Sequence, residues 1–206
     1  MLHNQLTFPC TLKLLVLVIA FLATSTRCNL YAQTGIPFAL PQRSEILKIR
    51  SAILETSEGD LFFELLPEEA PWHVANFKYL ADKHFYDGLR FHFFKAGYII
   101  QGGDPKNNGY GGPGYSLPPE FTQRNHKRGV LGMARRPDGY DNKNKLINPQ
   151  RESSGSQFHI LLGDAPHMDG RYTIFGKLVG GSTTLDKLSS KSIITKLTVF
   201  IREGGR

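Results

Sequence analysis

The sequence predicts a mainly β domain, a closed or nearly closed barrel with helical caps. Three observations carry that prediction. Short strand-like runs recur from Ile49 to Ile201, and only two segments show helical spacing. Gly, Pro, Asn and Asp punctuate the runs, and no internal repeat period is visible. Many short strands with few helices close on themselves rather than leave long edges.

The elements follow in order. "RSAILETSEGDLFFELL" is two strand-like runs around Ser57-Glu58-Gly59-Asp60, a hairpin signal. "PEEAPWHVANFKYLADKHF" reads as a helix. Pro71 suits its first turn, Glu68 and Glu69 sit near its positive end, and Val74, Phe77, Leu80 and Ala81 share one face. "RFHFFKAGYIIQGGDP" (Arg90 to Pro105) follows as a strand. Alternation puts Phe91, Phe93 and Lys95 on one face and His92 and Phe94 on the other. Past Ala96-Gly97, Tyr98 to Gln101 enters a turn. Asp104 to Pro119 is an ordered glycine-proline loop. "GVLGMA" (Gly129 to Ala134), "SQFHILL" (Ser156 to Leu162), "YTIFGKL" (Tyr172 to Leu178) and "IITKLTVFI" (Ile193 to Ile201) are strands. "TTLDKLSS" is a second helix, capped by Thr183 or Thr184.

The 206 residues fit one domain plus a targeting segment. "LLVLVIAFLA" (Leu14 to Ala23) follows Lys13 and precedes polar "TSTRC", an apolar run too short to span a bilayer comfortably. Residues 1–32 therefore read as a signal peptide cleaved near Ala32, or as an N-terminal anchor. A lipid-modified Cys28 is a third option, with Arg27 where processing wants a small residue. Residues 33–48, with two prolines and no clean period, read as a linker, and residues 49–202 as the folded domain. The only other cysteine, Cys10, lies in the leader, so packing and not a disulfide holds the mature domain. An exported location is expected: periplasm or envelope in a bacterium, the secretory pathway otherwise.

A composition of 40% hydrophobic and 21% charged residues is ordinary for a soluble domain with a core. The net charge of +7 lacks a stripe: "HKR" at His126 and "ARR" at Ala134 are too short for nucleic-acid binding. Membrane contact is expected only through the leader. "GYGGPGY" (Gly109 to Tyr115) lacks the Gly-Lys-Ser/Thr ending of a phosphate loop. "SGSQF" lacks the strand-turn-helix setting of a nucleophilic serine. His92, His159 and His167 lack ligand spacing, so neither metal nor cofactor is expected. The glutamine of "YIIQGGDP" stands out, because a strand that only fills a core has no use for it.

In register, "TSEGDLFFELLPEEAPWHVANFKYLADKHFYDG", "FHFFKAGYIIQGGDP", "GVLGMA", "SGSQFHILL" and "HMDGRYTIFGKLVGG" resemble a cyclophilin over Ile49 to Ile201. The resemblance implies an eight-stranded antiparallel barrel capped by two α-helices. It also implies a peptidyl-prolyl cis-trans isomerase acting on proline-containing unfolded or extended polypeptides. A monomer is expected. Rotation about an X-Pro bond breaks amide resonance, against a barrier of roughly 18–20 kcal/mol. A surface that binds the twisted bond better than either planar isomer suffices. Carried over by motif, the substrate pocket comprises Tyr98, Ile99, Ala134, His159, Met168 and Tyr172. Gln101 is its polar contact and Gln157 its edge.

The chain departs from the family pattern in that pocket. Phe93 stands where the family has the arginine of Phe-His-Arg. Arg90 has the wrong strand parity to replace it, and Lys95 sits two residues further on. Arg135, following Ala134 where the family usually has asparagine, is the candidate substitute, with Arg136 beside it. His159 replaces a phenylalanine, and His167 stands where tryptophan or phenylalanine is common. The expected function is an isomerase that assists folding of exported proteins with reduced turnover. The alternative is a non-catalytic proline-peptide-binding chaperone or scaffold. The long loop from Arg135 to Ser154 reads as a solvated insertion, or as a lid or partner-binding loop joining two pocket strands.

Overall fold

The computed structural model describes residues 35–136, 139–148 and 150–202. The leader lies outside the described residues. The chain divides at Pro37 and Phe38 into two units, the first described only at residues 35–37; the helices and the sheet belong to the second.

A single-turn helix α1 (Arg43–Ile46) leads into β1 (Ile49–Thr56) and β2 (Gly59–Leu65). Period-two patterning works here as the sequence predicts: Ala52 and Leu54 of β1 and Leu61, Phe63 and Leu65 of β2 all point inward. The turn is Ser57-Glu58, between the paired Thr56 and Gly59. Gly59 takes φ +118°, which a side chain would resist, and Thr56 Oγ1 donates to its carbonyl at 2.7 Å. The stretch read as a linker contributes structure. Ile46 is buried, and Phe38 stacks on Tyr79 with ring centroids 4.9 Å apart.

Helix α2 (Pro71–Asp82) begins at Pro71 and buries Val74, Phe77, Leu80 and Ala81, the face its spacing predicts. Its acidic cap is a different residue from those expected. Glu68 pairs with Arg50 and Glu69 with Arg124, whereas Glu120, 48 positions on, accepts the backbone N–H groups of Trp72 and His73 at 3.1 Å each. A carboxylate from a distant loop thus fills the role that the local acids only border.

Strands β3 (Phe93–Lys95), β4 (Ile99–Gly102), β5 (Ser116–Leu117), β6 (Val130–Arg135), β7 (Ser153–Leu161), β8 (Ile174–Gly180) and β9 (Ile194–Ile201) complete the sheet. Every pairing is antiparallel, in the order β3-β4-β7-β6-β8-β2-β1-β9, with β5 on the start of β7. The eight-stranded path curls into a half-barrel. The backbone of residues 88–89 bonds Ile194 twice, at 2.8 Å each, so the chain entering β3 meets the start of β9. Helix α3 (Ser182–Lys187) starts earlier than expected: its N-cap is Gly181, at φ +85°, and not Thr183 or Thr184. A Cβ at Gly181 would lie 2.3 Å from the carbonyl of Asp60, so the tight approach selects glycine over a hydroxyl cap.

Phe77 sits at the centre of the core. Its ring meets Phe175 at 5.1 Å, Tyr86 at 5.5 Å and Phe158 at 5.8 Å, between α2 and the concave sheet. The outer face of β4, β7 and β6 is left for the groove.

Candidate active site

Strand register assembles this outer face. Phe93 opposes Gln101, Gln101 opposes His159, and His159 opposes Gly132. Directly opposed residues share a face, so these four form one row across β3, β4, β7 and β6. Lys95, Ile99 and Leu161 form the next row. Phe94 faces the other way, into a hollow of about 150 Å³ with Gly97, Leu162, Leu185 and Leu188.

The alternation expected for Arg90 to Lys95 breaks at one point. Phe91 is fully buried against Phe158, with ring centroids 6.4 Å apart, whereas Phe93 is 47% exposed. Phe91 and Phe93 therefore do not share a face, because the ladder begins only at Phe93. Gly102 is the cause: a Cβ there would meet the Phe91 ring at 3.0 Å, so the missing side chain admits Phe91 to the core. The kink also turns His92, expected to face away, onto the groove side, where its Nε2 lies 3.1 Å from Gln101 Nε2.

An apolar wall brings β4 together with the segment after β7. Ile99 and Met168 belong to one buried cluster with Leu66, Val130, Leu161, Ala165 and Ile174, and Tyr98 and Tyr172 pack against it. Met168 arrives on a short 3-10 turn, Pro166–Met168. Tyr98 Oη lies 3.5 Å from Met168 Sδ and 2.8 Å from Nε2 of the exposed His167, whose ring stacks on Tyr98. Burial raises the Tyr98 phenol above its ordinary range, so it stays a neutral donor. Ala134 is buried on β6 beside Arg135.

His159 lies beneath this wall. It is fully buried, its ring 5.9 Å from Tyr172 edge-on and 6.4 Å from His126. Burial drives its pKa down to about 3, with His126 adding to the shift, so the imidazole is neutral at physiological pH. Among the described residues its Nε2 has no hydrogen-bond partner. Gly132 makes room for the ring: a Cβ there would come within 2.4 Å of that nitrogen.

Sequence reasoning missed His126 and Asp169. Asp169 Oδ1 accepts the His126 backbone N–H at 2.7 Å and contacts its ring Nδ1 at 2.9 Å, while Ala165 N–H donates to the His126 carbonyl. This pair clips the Met168 turn to the segment before β6. The partners are 43 residues apart, so no linear spacing announces them.

Arg135 is neither extended nor exposed. Its Nε donates to the Arg171 carbonyl at 2.7 Å and its guanidinium lies 5.1 Å from the Tyr172 ring centre. Lys95 is held similarly, with its Nζ 5.2 Å from the Tyr98 ring. The described part of the 135–154 loop folds on itself: Tyr140 bridges Leu146, and Asp141 Oδ1 accepts the N–H groups of Lys143 and Lys145. The polar side of the site is Gln101, whose Nε2 donates to Gln157 Oε1 at 2.8 Å. His92, His159 and His167 serve three separate contacts: His92 on Gln101, His159 against Tyr172, and His167 on Tyr98.

An apolar wall of two tyrosines, an isoleucine and a methionine, one row along the sheet from the Gln101 amide, suits a small apolar ring on a polar backbone. Comparison with known proteins narrows this. Residues 51–201 match the family model described as cyclophilin type peptidyl-prolyl cis-trans isomerase/CLD. A peptidyl-prolyl cis-trans isomerase of Helicobacter pylori is 37% identical over 157 residues, covering 74% of this chain and 88% of the relative. Peptidyl-prolyl cis-trans isomerase B of Bacillus subtilis is 39% identical over 139 residues, covering 66% and 88%. A cyclophilin type peptidyl-prolyl cis-trans isomerase of Cryptosporidium parvum, crystallised in the presence of the dipeptide Ala-Pro, superposes with a TM-score of 0.61. It is 30% identical and the match covers 73% of this chain and 99% of that one.

Proposed function

The chain belongs to the cyclophilin-type peptidyl-prolyl cis-trans isomerases, and from that premise we propose that it isomerises prolyl bonds in exported polypeptides at reduced turnover. The observation that carries the site assignment is the packing of Tyr98 and Tyr172 against the buried cluster that holds Ile99 and Met168, one row along the sheet from Gln101. The prolyl ring packs on that wall and the twisted bond lies over Gln101 and Phe93. The apolar Phe93 at the rim supplies no charge to the nitrogen that loses conjugation, which is the reason for slow turnover.

The test is a proline-peptide isomerisation assay on the full chain, with fractionation of cells expressing it with and without residues 1–32. We expect measurable acceleration, and export only with the leader. Met168→Ala should lower kcat/KM by about ten-fold, the effect of removing one apolar wall. Acceleration unaffected by Met168→Ala would remove the apolar wall from the mechanism.

Arg135 acts in this reading as a positioning residue. It holds the Arg171 carbonyl and the face of Tyr172, so Arg135→Ala should raise KM by about three- to ten-fold through a loosened ring. The value of kcat should stay within about two-fold. A collapse of kcat at constant KM would instead make Arg135 the substitute for the missing arginine.

One observation favours the second reading, a proline-peptide-binding chaperone or scaffold: Phe93 places an exposed aromatic ring beside the groove, a gain for holding an apolar chain and not for turning it over.

A further inference from the structure

The glycine-rich loop after β4 packs on β7, where Ser156 Oγ donates to the Gly103 carbonyl at 2.7 Å, and it is built around a buried charge. Asp104 is 1% exposed. Its Oδ1 accepts the Lys106 N–H at 2.7 Å, and its Oδ2 accepts those of Asn108 at 2.9 Å and Gly109 at 2.5 Å. Burial alone would raise this carboxyl, but the converging N–H groups outweigh it and keep it ionised. Gly111 closes the wrap, because a Cβ there would lie 1.8 Å from Oδ1.

The loop held in this shape turns two carbonyls toward Gln157. Gln157 Nε2 donates to Gly109 O at 3.0 Å and to Gly111 O at 2.7 Å, which uses both of its hydrogens. A glutamine oxygen cannot face two carbonyls, so this buried amide has one orientation, with Oε1 directed at Gln101. Gln101 meets it with Nε2 at 2.8 Å, and its second N–H lies toward His92 Nε2 at 3.1 Å, which accepts it when the imidazole carries its proton on Nδ1. Both hydrogens of Gln101 are then engaged, and its Oε1 remains. Among the described residues no donor reaches that oxygen. Phe93, the residue directly opposite Gln101 in the ladder, has none to offer.

We infer that the Asp104 loop fixes the polarity of the Gln101 amide through Gln157, so that the groove presents a hydrogen-bond acceptor that selects a backbone N–H of the bound peptide. Proline carries no N–H, so the bond falls on a residue flanking it. Gln157 and Asp104 are positioning residues for this contact. The inference rests on the proline-peptide reading of the groove, and it adds what that reading lacks: the direction of the polar contact and the residues that enforce it.

The experiment uses the full chain and a set of proline peptides in which each amide N–H near the proline is replaced, one at a time, by an ester oxygen. Binding is followed by NMR titration. With the wild type, one ester should weaken binding by about ten-fold and the others by less than about two-fold. In Gln157→Leu the parent peptide should bind more weakly and the ester penalty should fall below about two-fold, because the Gln101 amide is free to turn. Asp104→Asn should behave in the same way. Gln157→Glu separates polarity from loop shape: the carboxylate still accepts from Gln101 but cannot donate to Gly109 and Gly111. It should loosen the loop amides in NMR spectra and keep the ester penalty. A penalty equal in the wild type and Gln157→Leu, or no ester penalty in the wild type, overturns the inference while leaving the groove intact. Failure of the parent peptide to bind overturns the reading of the groove itself.

Discussion

Phe93→Arg should raise kcat/KM on a proline tetrapeptide by about 10²- to 10³-fold, with most of the gain in kcat. The position is prepared for a donor. Residue 93 opposes Gln101 across the β3–β4 ladder on the groove face, and its side chain is 47% exposed, so a longer polar chain enters without displacing core. As the prolyl nitrogen leaves conjugation it gains lone-pair density, which a guanidinium fork stabilises only in the twisted state. An interaction confined to the transition state raises kcat, and single preorganised donors are worth about 10²- to 10³-fold. Phe93→Lys should gain less, since an ammonium is a point charge without the fork that can serve Gln101 Oε1 and the substrate together. The other cations at the rim are already committed: Arg135 lies on Tyr172 and Lys95 on Tyr98. An unchanged rate for Phe93→Arg in an enzyme already fast would show that one of them does the work after all.

Where each side chain's destination depends on its near neighbours, the sequence was readable. "SAILET" and "DLFFEL" alternate because one face of each strand is wet, and their hairpin follows directly. The α2 face is equally plain from Val74, Phe77, Leu80 and Ala81. Local pattern fails where a distant atom decides. Phe91 leaves its expected face because Gly102, eleven residues later, lacks a side chain. Glu120 caps α2 from a loop that only the fold brings near. β7 begins three residues earlier than "SQFHILL" suggests, since its first residues are small and polar and are drawn in by pairing with β5 and β6. The apolar wall of Tyr98, Ile99, Met168 and Tyr172 was legible only through the order of family motifs. No spacing rule joins residues 98 and 168, and none hints that His126 and Asp169 hold the turn between them.

His159→Phe should produce the second large effect, on acid stability. The unfolded imidazole titrates near its ordinary value of 6.5, and burial holds the folded one at about 3. Between those values the unfolded chain binds the extra proton. Stability is therefore fully present above the unfolded value and falls as pH drops toward the folded one, by up to about 1.4 kcal/mol per pH unit. Burial also lowers His126 and His92, so they add to the loss in the same direction; Asp169, held down to about 2 by Asn125 and His126, adds to it only below its ordinary value of 3.8. Phenylalanine at 159 removes one titrating group and the orphaned Nε2 together. Urea unfolding between pH 6 and 4 should show the slope of stability against pH reduced by about one proton. The readout is that slope, because the larger ring presses on Gly132 and can shift absolute stability either way. A slope identical to wild type would mean that the imidazole is not kept neutral, and the buried side of Tyr172 would then face a charge.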